Sequence, residues 1–337
     1  MKALVYLGPH RMELQDVPKP VPAAGEVLVR VRASAICGSD LHGFRHESSR
    51  RVPPLVMGHE AVGTIHEVGA SVDDARVGER TVLKPILACG ECAACRTGRL
   101  NHCPGGRLVG RDLDGAFAEY LAIPSGAAVN LPNGVPDDVG TLTEPLSNAV
   151  HVASRSVAPG DEVFVIGAGP IGVLMARASL LFGAARVFIT DPVTERLELA
   201  RAQGAEPLIA DDPLAALLEA TEGEGAGLVI DAAGFESTWS LALRAVAIGG
   251  RIREVGLGSA SGTLDYFTVL EKEATITGSY AWTDEDFGRA LALLTEERLD
   301  PRDWITHLPL AQGQRAFEEL ERGTGPFKIV LDPGAGV

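Results

Sequence analysis

The 337-residue chain is predicted to form an α/β fold in two domains: a β-rich one and a doubly wound parallel sheet. Three observations predict it. Strand and helix patterns alternate through residues 160–280, which is the signature of βαβ units. The segment VFVIGAGPIG sets Gly167, Gly169 and Gly172 as G-x-G-x-x-G, directly after a predicted strand and opening a predicted helix. Residues 1–146, by contrast, are rich in Val, Gly and Pro and carry short alternating runs.

The elements follow in order. MKALVYLGPHRMELQDV alternates as a strand does and lacks the apolar core of a secretion signal. EVLVRVRASAIC and HEAVGTIHEVGA also read as strands. In the second region EVFVIG, ARVFIT, GLVIDAAG and GRIREVG are short β-branched strand candidates. Between them PIGVLMARASLLFG, TERLELARAQG and STWSLALRAVAIG carry helical spacing. DEDFGRALALLTEERL and QGQRAFEELERG read as amphipathic helices, and FKIVLD closes on a strand.

Composition narrows the function. Nearly half the residues are apolar (46%), enough for a large core, yet every long apolar run is broken by Arg, Asp or Gly, so no membrane span is predicted. A formal charge of −15 argues against nucleic acid or an anionic membrane as partner, since both need a basic footprint. Five cysteines suit a reducing cytoplasm.

Four of those five sit at Cys89, Cys92, Cys95 and Cys103, in CGECAACRTGRLNHC. The spacing Cys-x2-Cys-x2-Cys-x7-Cys lets four thiolates converge on one tetrahedral ion, the geometry of structural zinc. A disulfide reading would leave Cys37 unpaired, and the bacterial iron–sulfur run has three residues before its last cysteine where this chain has seven.

The glycine motif points to a dinucleotide. Gly167 would make the tight turn, Gly169 would admit a pyrophosphate, and Gly172 would let helix and strand pack closely. Pro170 has no N–H, so Ile171 is the backbone donor expected at that turn. Asp191 ends the next strand, where an acid binds the ribose hydroxyls of NAD and repels the 2′-phosphate of NADP. Arg196 nearby pulls the other way, toward a phosphate. Asp191 could instead cap the following helix.

The fifth cysteine, Cys37, lies in AICGSDLHG, and MGHEAVG carries His59 and Glu60. Thiolate, imidazole and carboxylate suit zinc with an open position. Glu144, in LTEPLSNAVH, could ligate the same ion or hold its water. Taken singly, Cys37 reads as a small buried residue and His59 as a core histidine. His151 reads as a helix residue, and His10, His46, His66, His102 and His307 have no partner arguable from sequence.

With these motifs in their order, CGSDLHG, GHEAVG, the four-cysteine lobe, GAFAEY, EPLSNAVH, GAGPIG and KIVLD, the chain resembles the zinc-dependent medium-chain dehydrogenases/reductases, the alcohol dehydrogenase superfamily. Glu144 makes it similar to the polyol (sorbitol) and threonine dehydrogenase branch. The resemblance implies a GroES-like β-rich catalytic domain over 1–146 and 282–337, with a structural zinc lobe at 88–104, and a Rossmann domain over 147–281. The active site would lie in the cleft between them. It further implies Cys37, His59 and Glu144 as catalytic zinc ligands, with Glu60 either a fourth ligand or a neighbour of the ligands. Asp40 would accept the spare N–H of His59. Ser39 would take the substrate proton, with His42 either the relay to solvent or an ordinary surface histidine. Backbone at Val255, Leu257 and Ser279 would face the nicotinamide. Two zinc ions per chain, NAD, a small secondary alcohol or polyol, and a dimeric or tetrameric homo-oligomer complete the expectation.

Sugar-phosphate and threonine dehydrogenases of the same family are alternatives. A zinc-free quinone reductase is disfavoured by the three metal-binding residues, and a non-enzymatic zinc module by the acidic charge and second ligand set. The loop GFRHESSRRVPP holds Arg45, Arg50 and Arg51, which either greet an anionic substrate or form a solvated loop.

Overall fold

The computed structural model describes residues 1–46, 49–301 and 303–335. The chain forms two compact units, Met1–Glu144 with Thr283–Val337, and Pro145–Trp282.

In the first unit β1 (Lys2–Gly8) and β2 (Arg11–Asp16) form an antiparallel hairpin, and β4 (Leu55–Val56) pairs with the free side of β1. The long strand β3 (Glu26–Ala35) is followed by helix α1 (Gly38–Arg45), then by β5 (Glu60–Val68) and β6 (Arg80–Leu83). A small ribbon of β7 (Ile86–Leu87) and β8 (Arg107–Leu108) brackets the one-turn helix α2 (Ala93–Arg96). Next come β9 (Tyr120–Pro124), β10 (Ala128–Asn130) and α3 (Asp137–Gly140). The pattern of β3 explains its place. Val27, Val29 and Val31 alternate inward to a core with Ile65, Leu83 and Ile123, while Arg30 and Arg32 point to solvent. Burying each such side chain contributes about 1.5–3 kcal/mol.

Helix α4 (Thr143–Ser156) carries the chain into the second unit. There β11 (Glu162–Ile166), α5 (Pro170–Leu181), β12 (Arg186–Thr190), α6 (Thr194–Ala202), β13 (Glu206–Pro207), α7 (Pro213–Ala220), β14 (Ala226–Asp231), α8 (Glu236–Ala245), β15 (Val246–Glu254), α9 (Tyr266–Glu271) and β16 (Thr275–Gly278) alternate. The six strands are all parallel, in the order β13-β12-β11-β14-β15-β16, which is the doubly wound arrangement. Val163, Phe164, Val165 and Ile166 of the central strand are all buried, as a strand covered on both faces requires.

The chain then returns to the first unit through α10 (Asp284–Thr295), β17 (Ile305–Pro309), α11 (Gly313–Glu321) and β18 (Lys328–Asp332). Strand β18 pairs with β3 on one side and β17 on the other, so the last residues close a sheet begun near the N-terminus. The predicted helix STWSLALRAVAIG is shorter than expected. It ends at Ala245, and Val246–Glu254 is strand, because Val246 already pairs with Ala226 of β14. Among the described residues no helix is long and apolar enough to cross a membrane.

Candidate active site

The four-cysteine lobe is built by local structure. Cys92 caps α2, its sulfur accepting the N–H of Cys95 at 3.4 Å, and the N–H of Cys89 donates to Cys103 Sγ at 3.3 Å. The sulfurs stand 3.4 Å (Cys92–Cys95), 3.8 Å (Cys89–Cys95) and 3.9 Å (Cys92–Cys103) apart. All are free thiols, far beyond the ~2.05 Å of a disulfide. A tetrahedron of sulfurs ~2.3 Å from zinc has edges of about 3.8 Å, so the donor set fits that ion. The thiols do not ionise alike on their own. Backbone N–H groups of Glu91 and Cys92 draw Cys89 down to about 6, while desolvation and the neighbouring Cys92 push Cys95 up to about 12. Four thiolates this close need a cation among them.

The second group assembles from remote segments. Cys37 caps α1, and its sulfur accepts from Ser39 N–H at 3.5 Å and Ser39 Oγ at 3.4 Å. The capping box is closed by Asp40, whose Oδ2 accepts the N–H of Cys37 at 3.2 Å. Asp40 is fully buried, and its Oδ1 lies 3.4 Å from both His59 Nδ1 and Arg51 Nη2. His59 and Glu60 lead into β5. Candidate ligand atoms of Cys37, His59 and Glu60 all lie within 4.8 Å of one another.

Electrostatics mark this cluster. Burial works against a charged His59, yet the Asp40 carboxylate and the Cys37 sulfur hold it well above the usual imidazole range. Burial likewise opposes ionised Asp40, but His59, Arg51 and the Cys37 N–H keep it low. Glu60 is pushed up by burial, pulled back by Lys328 and pushed up again by Glu144. Lys328, the first residue of β18, is the group sequence reading missed. Its ammonium is buried, donates to Ile36 O at 3.0 Å and stands 2.5 Å from Glu60 Oε2. Despite burial it stays above the usual lysine value because Glu60, Cys37 and Glu144 surround it. The only signal was a lysine opening an otherwise apolar strand. Beyond this ion pair, Glu60 Oε1 is buried without a hydrogen-bond partner. A buried carboxylate oxygen left without a donor, beside a thiol and an imidazole, fits zinc.

The structure places the remaining candidates as follows. Glu144 is buried and its charge is felt by Glu60 and Lys328, but it stands outside the compact trio, where Glu60 occupies the carboxylate position. His42 is exposed on α1, its ring 5.0 Å from that of His46, and burial of its inner edge together with the charges of His46, Arg51 and Arg45 lowers its pKa. The three loop arginines do not converge. Arg50 grips Asp112 through two bonds of 3.1 Å, Arg45 donates to Glu321 O, and Arg51 is turned inward onto Ser39 and Asp40. Of the histidines without a sequence partner, His10 meets Glu321, His66 meets Glu67, and His307 meets Asp138 and Asp332.

In the second unit Gly167 turns the chain after β11 at φ +96°, open to glycine above all. A Cβ on Gly172 would lie 1.8 Å from Gly167 O, so the third glycine is needed for close packing. Gly169 caps α5 and nothing lies within 4 Å of where its Cβ would be, which leaves room for a ligand. Pro170 is the first helical residue and Ile171 follows in the unsatisfied first turn. Asp191 accepts the N–H of Ala168 at 2.8 Å and of Val193 at 2.9 Å, with Arg196 Nη1 at 3.8 Å. Val255, Leu257 and Ser279 follow the C-terminal ends of β15 and β16, the same sheet edge as the glycine turn; Ser279 N–H donates to Glu254 O.

Two family profiles match: the alcohol dehydrogenase GroES-like domain over residues 23–133 and the zinc-binding dehydrogenase over residues 170–296. The L-threonine 3-dehydrogenase of Thermococcus kodakarensis is 33% identical, over 100% of this chain and 99% of that protein. The chain belongs to the zinc-dependent medium-chain dehydrogenase family. A probable D-xylulose reductase A of Arthroderma otae is also 33% identical, over 96% of this chain and 95% of that one. An alcohol dehydrogenase from Escherichia coli CFT073, solved with NADH, superposes with a TM-score of 0.90 at 31% identity, covering 98% of this chain and 99% of that chain. The protein is therefore an oxidoreductase of the threonine and polyol dehydrogenase branch. Relatives of equal identity are named for L-threonine and for D-xylulose, so overall similarity does not select the substrate.

Proposed function

We propose that the protein oxidises a secondary alcohol or polyol, with NAD accepting the hydride, at a zinc held by Cys37, His59 and a carboxylate of Glu60 or Glu144. The observation that carries this reading is the Cys37–His59–Glu60 trio, with His59 and Glu60 buried and Glu60 Oε1 without a partner, in a chain that also carries a complete dinucleotide turn. When bound, zinc supplies the Lewis acid that makes the alcohol proton easy to remove, and NAD supplies the hydride acceptor. The chain's own residues do the rest. Asp40 orients His59 by facing Nδ1, which leaves Nε2 for a metal. Ser39 Oγ receives the alcohol proton as it gives up its own. His42, one turn on, accepts that proton, because its lowered pKa keeps the ring neutral near pH 7 and it reaches solvent. The four-cysteine lobe holds a second, structural zinc. Gly167, Gly169, Ile171 and Gly172 present backbone to the pyrophosphate. Asp191 faces the ribose and favours NAD over NADP, with Arg196 as its counterweight. Val255, Leu257 and Ser279 border the nicotinamide.

A threonine or sugar-phosphate substrate remains the second reading, supported by the relatives. The engagement of Arg45, Arg50 and Arg51 within the protein speaks against a phosphate group at that loop. The free-thiol lobe suits the reducing cytoplasm. A homo-oligomer is supported by β16, which ends the six-stranded sheet with an open edge beside exposed Tyr266, Phe267 and Leu270.

The test is a panel of polyols, diols, threonine and sugar phosphates scored by NADH absorbance, with zinc counted by elemental analysis. About two zinc ions per chain and NAD reduction by a polyol or diol are expected. Activity without zinc, or with NADP favoured over NAD, would overturn the corresponding part.

A further inference from the structure

We infer that Arg51 is a positioning residue for the reaction, holding Ser39 and Asp40 on one guanidinium so that the proton-accepting hydroxyl and the orienter of His59 are set together. The inference rests on the reading of the Cys37 group given above and adds a residue to it.

Arg51 is only 7% exposed. Its Nη2 lies 3.4 Å from Ser39 Oγ and 3.4 Å from Asp40 Oδ1. A guanidinium carries donors only, so the lone pair of Ser39 that faces it is occupied and the serine proton must point elsewhere. The other neighbour of that hydroxyl is Cys37 Sγ, at 3.4 Å. The hydroxyl is thus confined between one donor and one acceptor, which fixes the direction in which it can take and give a proton. Asp40 is confined in the same way. Its Oδ2 is taken by the N–H of Cys37, and its Oδ1 is shared between Arg51 and the face of His59. Without Arg51 only the Cys37 N–H would pin the carboxylate, and Oδ1, which faces the imidazole, would lose its anchor.

The helix is shaped for this contact. A Cβ on Gly43 would lie 2.4 Å from Arg51 Cδ and 2.9 Å from its Nε, so α1 lacks a side chain where the arginine stem crosses it. Glycine in a helix interior lowers stability; here the vacancy admits a buried cation. Lysine would not substitute, because its stem is one atom shorter and leaves the ammonium short of where Nη2 meets Ser39 and Asp40.

The experiment uses the purified, zinc-loaded full chain and three variants, Arg51→Met, Arg51→Lys and Gly43→Ala. Zinc release to a colorimetric chelator is followed beside kcat, the KM for NAD and thermal midpoints. Arg51→Met should release the ion of the Cys37 group roughly ten-fold faster, the lower range seen when an outer partner of a metal-binding histidine is lost. Its kcat should fall by a similar factor, with the KM for NAD unchanged. Arg51→Lys should resemble it. Gly43→Ala displaces the arginine without removing it. It should show the same faster release and lower kcat, with a lower thermal midpoint because the overlap with the buried arginine outweighs alanine's better helix propensity. Release and kcat are therefore read well below every midpoint, where a purely structural arginine would leave both at wild-type values. Wild-type release and kcat in Arg51→Met and Gly43→Ala, full recovery by Arg51→Lys, or losses that only track the midpoints would each overturn the positioning role. A wild-type chain holding zinc in the lobe alone would instead overturn the reading of the Cys37 group, and Arg51's role with it.

Discussion

The two cysteine-bearing sites of the first unit are built on opposite plans. The lobe draws its four thiols from fifteen consecutive residues, keeps Cys89 exposed, and relies on a short ribbon and a single helical turn. The Cys37 group draws on the start of α1, the entry to β5 and the first residue of β18, and all of it but the half-buried Cys37 is buried. The lobe offers only sulfur. The Cys37 group mixes thiol, imidazole and carboxylate and carries its own cation, Lys328, against Glu60. A site of four like donors around one ion is closed and serves folding. A mixed site with an internal cation can exchange partners and serve chemistry.

The sharpest way to break this contrast is to remove one sulfur from each site. Cys37→Ala should lose one of two zinc ions and at least about 10³-fold in turnover, because the Lewis acid supplies several kcal/mol of transition-state stabilisation. Elemental analysis and NADH absorbance check both together, and full activity with one zinc would reverse the assignment. Lys328→Met comes next. It leaves Glu60 buried without its counter-charge, which typically costs about 3–5 kcal/mol, and the loss should be visible as a lower urea midpoint in chelator-treated protein. Added zinc should recover part of that loss, since a cation can replace the ammonium.

Cys95→Ser should act on folding. Loss of a structural ion should lower the Tm of the first unit, about 200 residues, by roughly 2–4 °C for each kcal/mol of folding free energy the ion supplied. Turnover measured well below the new Tm should change little. An unchanged Tm and zinc count would remove the structural role of the lobe.

His42→Gln probes the proton path proposed for the Cys37 group. A relay is typically worth about 10²–10⁴-fold, and solvent access at this exposed ring puts the expected loss near the lower end. The loss should be largest at low pH, where removal of the alcohol proton is hardest. Superimposed pH–rate profiles would make His42 an ordinary surface residue.

The smallest effect lies in the second unit. Glu254, ending β15, is pushed up to about 7 by burial and by Asp231, and its Oε2 is buried without a partner. The unfolded chain ionises near the ordinary 4.5, while the folded chain keeps its proton up to about 7. The folded state therefore binds more protons in that window, stability falls as pH rises through it, and the penalty is complete above it. Glu254→Gln should raise stability by about 1 kcal/mol at pH 8, after discounting solvent screening at this part-exposed group, and by less at pH 5. Denaturant midpoints at the two pH values decide it, and an equal change at both would mean the residue does not titrate there.

What could be read without coordinates follows the same division. The lobe was legible because its four ligands share one short segment, so spacing alone encodes geometry. The glycine turn was legible for a related reason: Gly172 abuts Gly167 within a single strand–turn–helix. The α8 boundary was misread because Val246 has the apolar look of a helix face, and only pairing with Ala226 makes it strand.

The sequence by itself determined the doubly wound sheet, the cluster of four cysteines and the family, since local periodicity and short motifs carry all three. Only the tertiary structure decided which carboxylate stands in the compact trio, that Lys328 neutralises it, and that Arg51 turns inward to Ser39 and Asp40 while Arg45 and Arg50 turn to other partners. The physical reason is that burial and charge pairing depend on which remote segments meet. Strand β18 meets β3 across almost the whole length of the chain, and no spacing rule in the sequence records that encounter.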